Sequence, residues 1–234
     1  NLTDFSSSVE NIQLQRGIGT STNGSSAFGA SLNILTDGIS KEKFFESNNS
    51  FGSFSTIKNS IRFSTGDIND KFQISGRFSK IISDGYVDRA SSDLRSYFLQ
   101  TTYSKNKTLI KTLIFGNHEK TYQAYWGIEP EMLSKNRRYN SAGEIYDDSG
   151  NFEKFYYNQI DNYKQDHIQI HWNQIFNYKL STSIGVNYTY GRGYYEEYND
   201  KWKDENFSFS GMTSFSNLGL DNLVFGNDII SSSD

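Results

Sequence analysis

The sequence contains no cysteine, which excludes a disulfide framework and thiolate metal sites without identifying a compartment. No stretch approaches the roughly 18 to 20 uninterrupted apolar residues of a membrane-spanning helix, and the mean hydropathy is −0.66. Any crossing of a membrane is therefore by strands. There is no strong charge of one sign either: 23 Lys and Arg stand against 27 Asp and Glu, dispersed along the chain, for a formal charge of −4. That balance leaves no nucleic-acid footprint. Catalytic signatures are also missing. Asp147-Asp148 and Glu196-Glu197 are adjacent pairs, and neighbours on an extended chain point apart, so they make poor acid and base partners. With no nucleophile elbow or phosphate loop, the expectation is a protein that is not an enzyme and needs no cofactor. His118, His167 and His171 invite a metal site, but residues four apart on a strand lie about 13 Å apart, too far for one ion. The reading is that no metal is bound. The chain opens at Asn1 with neither Met nor leader and closes on Ser231 to Asp234 as an interrupted loop, so both ends read as cut from a longer protein.

What is present is aromatic. Apolar residues make up only 35% of the 234, yet 16 Tyr and 18 Phe accompany a single Pro. An ordinary soluble core leans on Leu, Val, Ile and Ala. A barrel wall needs only alternate residues to be apolar and gathers aromatic rings at the two membrane interfaces.

Residues 1–40 are rich in Gly, Ser, Thr and Asn, with apolar runs at Val9 to Leu14 and Ala27 to Leu35. They read as two short strands joined by a glycine-punctuated loop. A helix holding Gly17, Gly19, Gly24 and Gly29 would lose about 1 kcal/mol at each. From Lys41 the chain changes to segments of about ten residues, a length matched to a tilted membrane strand. In Lys179 to Tyr190, Leu180, Ile184, Val186, Tyr188 and Tyr190 alternate with Ser181, Ser183, Gly185, Asn187 and Thr189. The same period of two runs through Ile57 to Phe63, Phe72 to Ser79, Tyr97 to Tyr103 and His167 to Trp172. In a soluble sandwich the apolar set faces inward; in an outer-membrane barrel it faces lipid, and periodicity alone does not choose.

The connections favour the barrel. Tight links fall near Gly66 to Asp70, Lys105 to Lys107 and Asn177 to Lys179. Long ones run Asp84 to Asp93, about Glu119 to Tyr163, and about Gly191 to Ser231. The short link near Gly52 to Ser55 breaks the alternation. Long loops on one side only are the mark of short periplasmic turns and long extracellular loops.

The segment Val9 to Gly38 carries Val9-Glu10, Ile12, Leu14, Arg16-Gly17, Gly19-Thr20-Ser21, Gly24, Ala27, Gly29, Asn33-Ile34 and Thr36. It resembles the closing part of the plug domain of TonB-dependent outer-membrane receptors. Ile18, Asn23 and Ala30-Ser31 depart from the usual pattern. Downstream, Gly85-Tyr86-Val87-Asp88-Arg89, His118 to Ala124, Asn140-Ser141-Ala142-Gly143, Asp161 to His167 and Tyr188 to Tyr195 are similar to the iron-complex branch of that family in Bacteroidetes-type bacteria.

The resemblance implies an all-β fold: residues 1–40 as the end of a plug domain, with Val9, Ile12, Leu14, Ile34 and Leu35 in its small core. Residues 41–234 are then the first part of an antiparallel transmembrane β-barrel, about seven strands of about 22, with long extracellular loops at 119–163 and 191–231. It implies a bacterial outer-membrane importer of a ferric siderophore or other iron complex, with TonB acting on a segment upstream of this chain and lipid around the wall. A piece with open edges is expected not to fold stably alone. Arg16 is the candidate plug latch, pairing with wall carboxylates; Arg16, Gly17, Gly19, Gly24, Gly29 and Asn33 form the plug motif. In the long loop, Tyr122, Tyr125, Trp126, Arg137, Arg138 and Tyr139 combine aromatic faces with guanidinium groups suited to an anionic ligand. Arg192, Tyr194, Tyr195 and Trp202 read as an interfacial girdle. The rival readings are a glycan-importing receptor of the same build, a passive porin-like barrel, and a soluble adhesive or carbohydrate-binding β-domain.

Overall fold

The computed structural model describes residues 3–5, 8–17, 29–36, 42–147 and 149–198, and the backbone of 222–225 and 228–231. Gly19, Gly24 and Trp202 lie outside the described residues. The chain divides into two units, Asn1–Tyr198 and Asn199–Asp234. In the second, the described backbone is a hairpin of β12 (Asn222–Phe225) and β13 (Asp228–Ser231).

The first unit begins with an antiparallel hairpin, β1 (Val9–Arg16) and β2 (Ala30–Thr36), with Ile12 opposite Ile34 and Leu14 opposite Leu32. Gly17, at φ +84°, donates its N–H to the Gly29 carbonyl at 2.8 Å and closes the hairpin, a conformation L-residues adopt at a cost. There follows a seven-stranded antiparallel sheet built from β3 (Lys43–Gly52), β4 (Thr56–Thr65), β5 (Phe72–Ser83), β6 (Ser92–Lys105), β7 (Thr108–Tyr122), β10 (Ile160–Ile175) and β11 (Ser181–Glu196). Each of these seven pairs with the next of them in chain order, β7 passing directly to β10, and β3 and β11 are open edges. Between β7 and β10 lie a short helix α1 (Pro130–Lys135) and a small hairpin of β8 (Glu144–Tyr146) and β9 (Phe152–Phe155). The fold is all-β, an open part of an antiparallel barrel wall, as the sequence implied. The described helix is too short to cross a membrane.

Turn chemistry sets the register. Asn69 and Asp70 take φ of 51° and 50° between β4 and β5, the left-handed pair that matches the twist of a tight hairpin. Asn106 does the same at φ 54° between β6 and β7. Between β10 and β11 the Asn177 side chain accepts from the N–H groups of Lys179 and Leu180 at 2.8 and 3.0 Å. These short turns share one end of the sheet. At the other end lie Ser53 to Ser55, residues 84–91 and residues 123–159.

Because side chains alternate across a strand, the register assigns each residue to a face. Ser60, Ser79, Ser96 and Asn117 form one inward row, and Arg77, Phe98, Phe115 and His167 form the next. The N-terminal hairpin packs on this inner face: Phe5 meets Phe98 and Phe115 at ring distances of 5.9 and 5.2 Å, and Val9 and Ile34 pack beside them. Ile61, Phe78, Leu99, Ile114, Ile168 and Val186 share the opposite, outer face and are not buried by the chain.

Of the five residues assigned to a plug core, only Val9 and Ile34 pack against the buried cluster, while Ile12, Leu14 and Leu35 are exposed. A two-stranded ribbon has no second layer of its own, so it buries side chains only where it touches the wall.

Candidate functional site

Two constellations are candidates. The first joins the N-terminal segment to the inner wall. Asp4, in a left-handed turn at φ 51°, has a side chain only 7% exposed. Its carboxylate receives Lys58 Nζ at 2.5 Å, Arg77 Nη1 at 3.4 Å and the Ser79 hydroxyl. Arg77, 1% exposed, also donates through Nε to Ser8 Oγ at 2.7 Å and through Nη2 to Ser96 Oγ at 3.1 Å. Burial alone pushes the Asp4 pKa up, but hydrogen bonds from Lys58 and Ser79 and the charges of Lys58 and Arg77 outweigh it. The net effect holds the Asp4 carboxyl below its ordinary value. Farther along the hairpin, Lys111 donates to Thr36 Oγ1 at 3.2 Å.

Sequence reasoning placed the latch at Arg16. The structure puts Arg16 exposed at the end of β1, opposite Ala30. The observed ion pairs run with the opposite polarity, a carboxylate on the hairpin side and cations on the wall. The readable signal was Arg77 at an inward position of an alternating strand; its partner 73 residues away was not readable. Gln100 and Asn117 are buried on the inner face, and their side-chain amides meet no hydrogen-bond partner among the described residues.

The second constellation lies at the long-loop end. Arg89, at φ 62°, stacks its guanidinium 3.4 Å over the Phe155 ring and donates to the carbonyls of Asn140 and Ala142. Asn140 Nδ2 donates to the carbonyls of Asp88 and Gln123, each at 3.1 Å. Arg138 donates through Nε to the Tyr86 carbonyl at 2.8 Å, pairs with Asp88 at 3.3 Å and lies over Phe54. The two short motifs Gly85 to Arg89 and Asn140 to Gly143 therefore meet in space and tie three connections together. Gly143 is required at φ +76°, where a Cβ would stand 2.5 Å from the Tyr122 hydroxyl.

Within this scaffold the expected ligand residues separate into two groups. Tyr122 is buried and donates its hydroxyl to the carbonyls of Ala142 and Tyr156 at 3.1 and 2.8 Å. Arg138 is held as described, and Tyr139 bonds to Glu144, which together with burial pushes its pKa up to about 12. Tyr125 and Trp126, by contrast, stack at 5.2 Å and remain 67% and 55% exposed. The Tyr125 hydroxyl reaches Gln123 and Glu197 at 3.0 and 3.2 Å, and burial with the Glu197 charge raises its pKa. Arg137 is exposed. The stacked pair and Arg137 thus present free faces, while the other three side chains shape the loop.

Among solved structures the chain is similar to the ferric-catecholate import receptor Fiu from E. coli K12 in its open form, with a TM-score of 0.61 and 11% identity. The chain shares its fold with an import receptor. The match covers 80% of this chain and 29% of that one, so the chain spans under a third of the receptor's length. No family model matches the sequence, and no curated protein matches it.

His118 Nε2 lies 2.9 Å from Asn162 Oδ1, His167 Nδ1 2.9 Å from Thr189 Oγ1, and His171 Nε2 3.4 Å from Gln169 Oε1. Among the described residues no three His, Asp or Glu side chains converge on one point.

Proposed function

We propose that this chain is part of a TonB-dependent importer of the bacterial outer membrane. Residues 1–40 supply the end of the plug and the seven-stranded sheet supplies the first part of the barrel. The observation that carries the reading is the two-faced wall: an apolar outer face left uncovered, and a polar inner face on which a glycine-closed hairpin docks. In a soluble sandwich the outer set would be the buried one.

The docking chemistry supports a plug that must move. One compact ionic cluster of Lys58, Arg77 and Ser79 holds Asp4 against the wall. Breaking that cluster removes the ion pairs that the described N-terminal residues make with the wall. The protein acts by binding and displacement and carries out no catalysis. TonB acts on a segment upstream of this chain.

The cargo we assign is a ferric siderophore or similar iron complex, taken up first by Tyr125, Trp126 and Arg137 on the long-loop side. Exposed aromatic faces and a guanidinium suit an anionic aromatic ligand, and the similar receptor is itself a ferric-catecholate importer. Uptake of radiolabelled iron as a catecholate complex, by cells with and without the full-length gene, tests the assignment. Gene-dependent uptake that stops when TonB is absent is the expected result. Uptake indifferent to the gene, with gene-dependent growth on a glycan instead, refutes the cargo.

A further inference from the structure

The register places cationic groups side by side on the outer face. Lys80 of β5 lies opposite Arg95 of β6, Arg95 opposite His118 of β7, His118 opposite Lys164 of β10, and Lys164 opposite Arg192 of β11. With neighbouring strands about 4.8 Å apart, this row crosses roughly 19 Å of wall. It continues over β4 and β3 as Asn59 and Asn49, so the whole row is polar. The row stands toward the long-loop end, two residues beyond Phe78, Tyr97 and Tyr190; one level farther out on the same face stand Asp93, Lys120 and Asn162 over β6, β7 and β10, flanked by Phe51, Ile57 and Ile82 on one side and Tyr194 on the other.

The local carboxylates do not cancel it. Asp93 pairs with Arg95 at 2.9 Å and Lys80 at 3.7 Å, and Asp166 pairs with Arg192 at 3.0 Å. Lys120, one level farther out on the same face, adds a cation beside Asp93. Among the described residues Lys164 forms no ion pair, and the side chains of Lys80 and Arg95 remain about half exposed. A groove of about 530 Å³ runs along the row, with Lys80, Arg95, His118 and Lys164 on its upper side and Phe78 and Tyr97 on its lower.

We propose that this groove binds the phosphorylated headgroup of a lipid in the leaflet on the long-loop side. Its phosphates sit on Lys80, Arg95 and Lys164, and its acyl chains run down over Phe78 and Tyr97. Over β6, β7 and β10 the shape fits an amphiphile: the next level out is polar, Asp93, Lys120 and Asn162, and the level below carries the Tyr97 ring. Cations at this height tolerate a lipid-facing position, because the cost of a charge falls toward zero at the interface. Each gains from an anionic membrane surface. A soluble phosphate would use the cations and leave the aromatic side of the groove idle, so the lipid is favoured. The proposal rests on the membrane reading above.

The test uses the full-length receptor in non-ionic detergent, examined by native mass spectrometry with three probes: a bisphosphorylated glucosamine lipid, the same lipid dephosphorylated, and inorganic pyrophosphate. Retention of the phosphorylated lipid alone is expected. Lys80→Gln with Arg95→Gln and Lys164→Gln should weaken it by about fivefold for each charge removed. The same change in charge at Lys105, Lys107 and Lys179, by the short turns, should leave it intact. If the triple variant does not fold, added salt must release the phosphorylated lipid from the unaltered protein and spare the other. Equal retention of both lipids, equal loss in the control variant, or occupancy by pyrophosphate with no lipid overturns the proposal. A receptor that stays in the aqueous phase without detergent overturns the membrane reading itself.

Discussion

Replacing Asp4 by alanine leaves Lys58 and Arg77 facing each other across the inner wall with their shared carboxylate gone. Removing one partner of a buried ion pair costs about 3 to 5 kcal/mol. The lower end applies here, because Lys58 is one-third exposed and Arg77 keeps its bonds to Ser8 and Ser96. About 3 kcal/mol is a factor of roughly 150 in the ratio of docked to undocked hairpin. Hydrogen exchange of the full-length protein reads it directly: amides of β1 and β2 should lose about a hundredfold of protection, while those of β5 and β6 stay unchanged. Acid should act in the same direction. The Asp4 pKa is lowered in the folded protein, so its contribution is present above the ordinary carboxylate value of about 3.9 and is lost as pH falls through the depressed folded value. A double-mutant cycle with Arg77→Ala separates the pair from general disruption. Unchanged exchange in Asp4→Ala, or full additivity with Arg77→Ala, refutes the latch.

Arg89→Ala removes a guanidinium stacked on Phe155 and bonded to two carbonyls, at about 2 kcal/mol or more; limited proteolysis within residues 123–159 should accelerate by an order of magnitude with the wall intact. Gly116→Ala sets a Cβ 2.5 Å from the Gln165 carbonyl oxygen and 2.9 Å from the Tyr97 hydroxyl that donates to Asp166. Overpacking of that kind costs about 1 to 3 kcal/mol, visible as a lower temperature for the heat-induced gel shift of the folded barrel. Phe98→Ala should loosen the hairpin by about 3 kcal/mol, raising exchange in β1 without changing lipid-facing accessibility. The isolated 234-residue piece, with β3 and β11 unpaired, should aggregate on refolding, whereas a longer chain that closes the wall should not.

How much of this was legible depended on what each strand faces. The alternation in β4, β5, β6, β10 and β11 was plain, because one side is apolar and the other is small or polar. In β7 it was hidden: Ile110 and Ile114 face outward, but Leu113 and Phe115 face inward against Phe5, so both faces are apolar. In β3 it was hidden for the opposite reason, since Asn48 and Asn49 leave both faces polar at mid-strand. The ion pair between Asp4 and Arg77 was not legible because it depends on tertiary approach, which no local pattern encodes. The loop motifs from Gly85 and Asn140 were visible as strings, yet their meeting through Arg89 appears only once three connections fold together. The cationic row was equally invisible in the sequence, since its members are aligned only by strand register.

Everything above depends on the even-numbered residues of β11 from 182 to 190 facing hydrocarbon. A spin-label scan of single cysteines from residue 182 to 190 in the bilayer-reconstituted full-length receptor tests it most directly. Labels at 182, 184, 186 and 188 should collide with oxygen and be shielded from a water-soluble nickel complex, and labels at 183, 185, 187 and 189 should show the reverse. Accessibility to nickel at 184 and 186, or no alternation along the strand, contradicts the account.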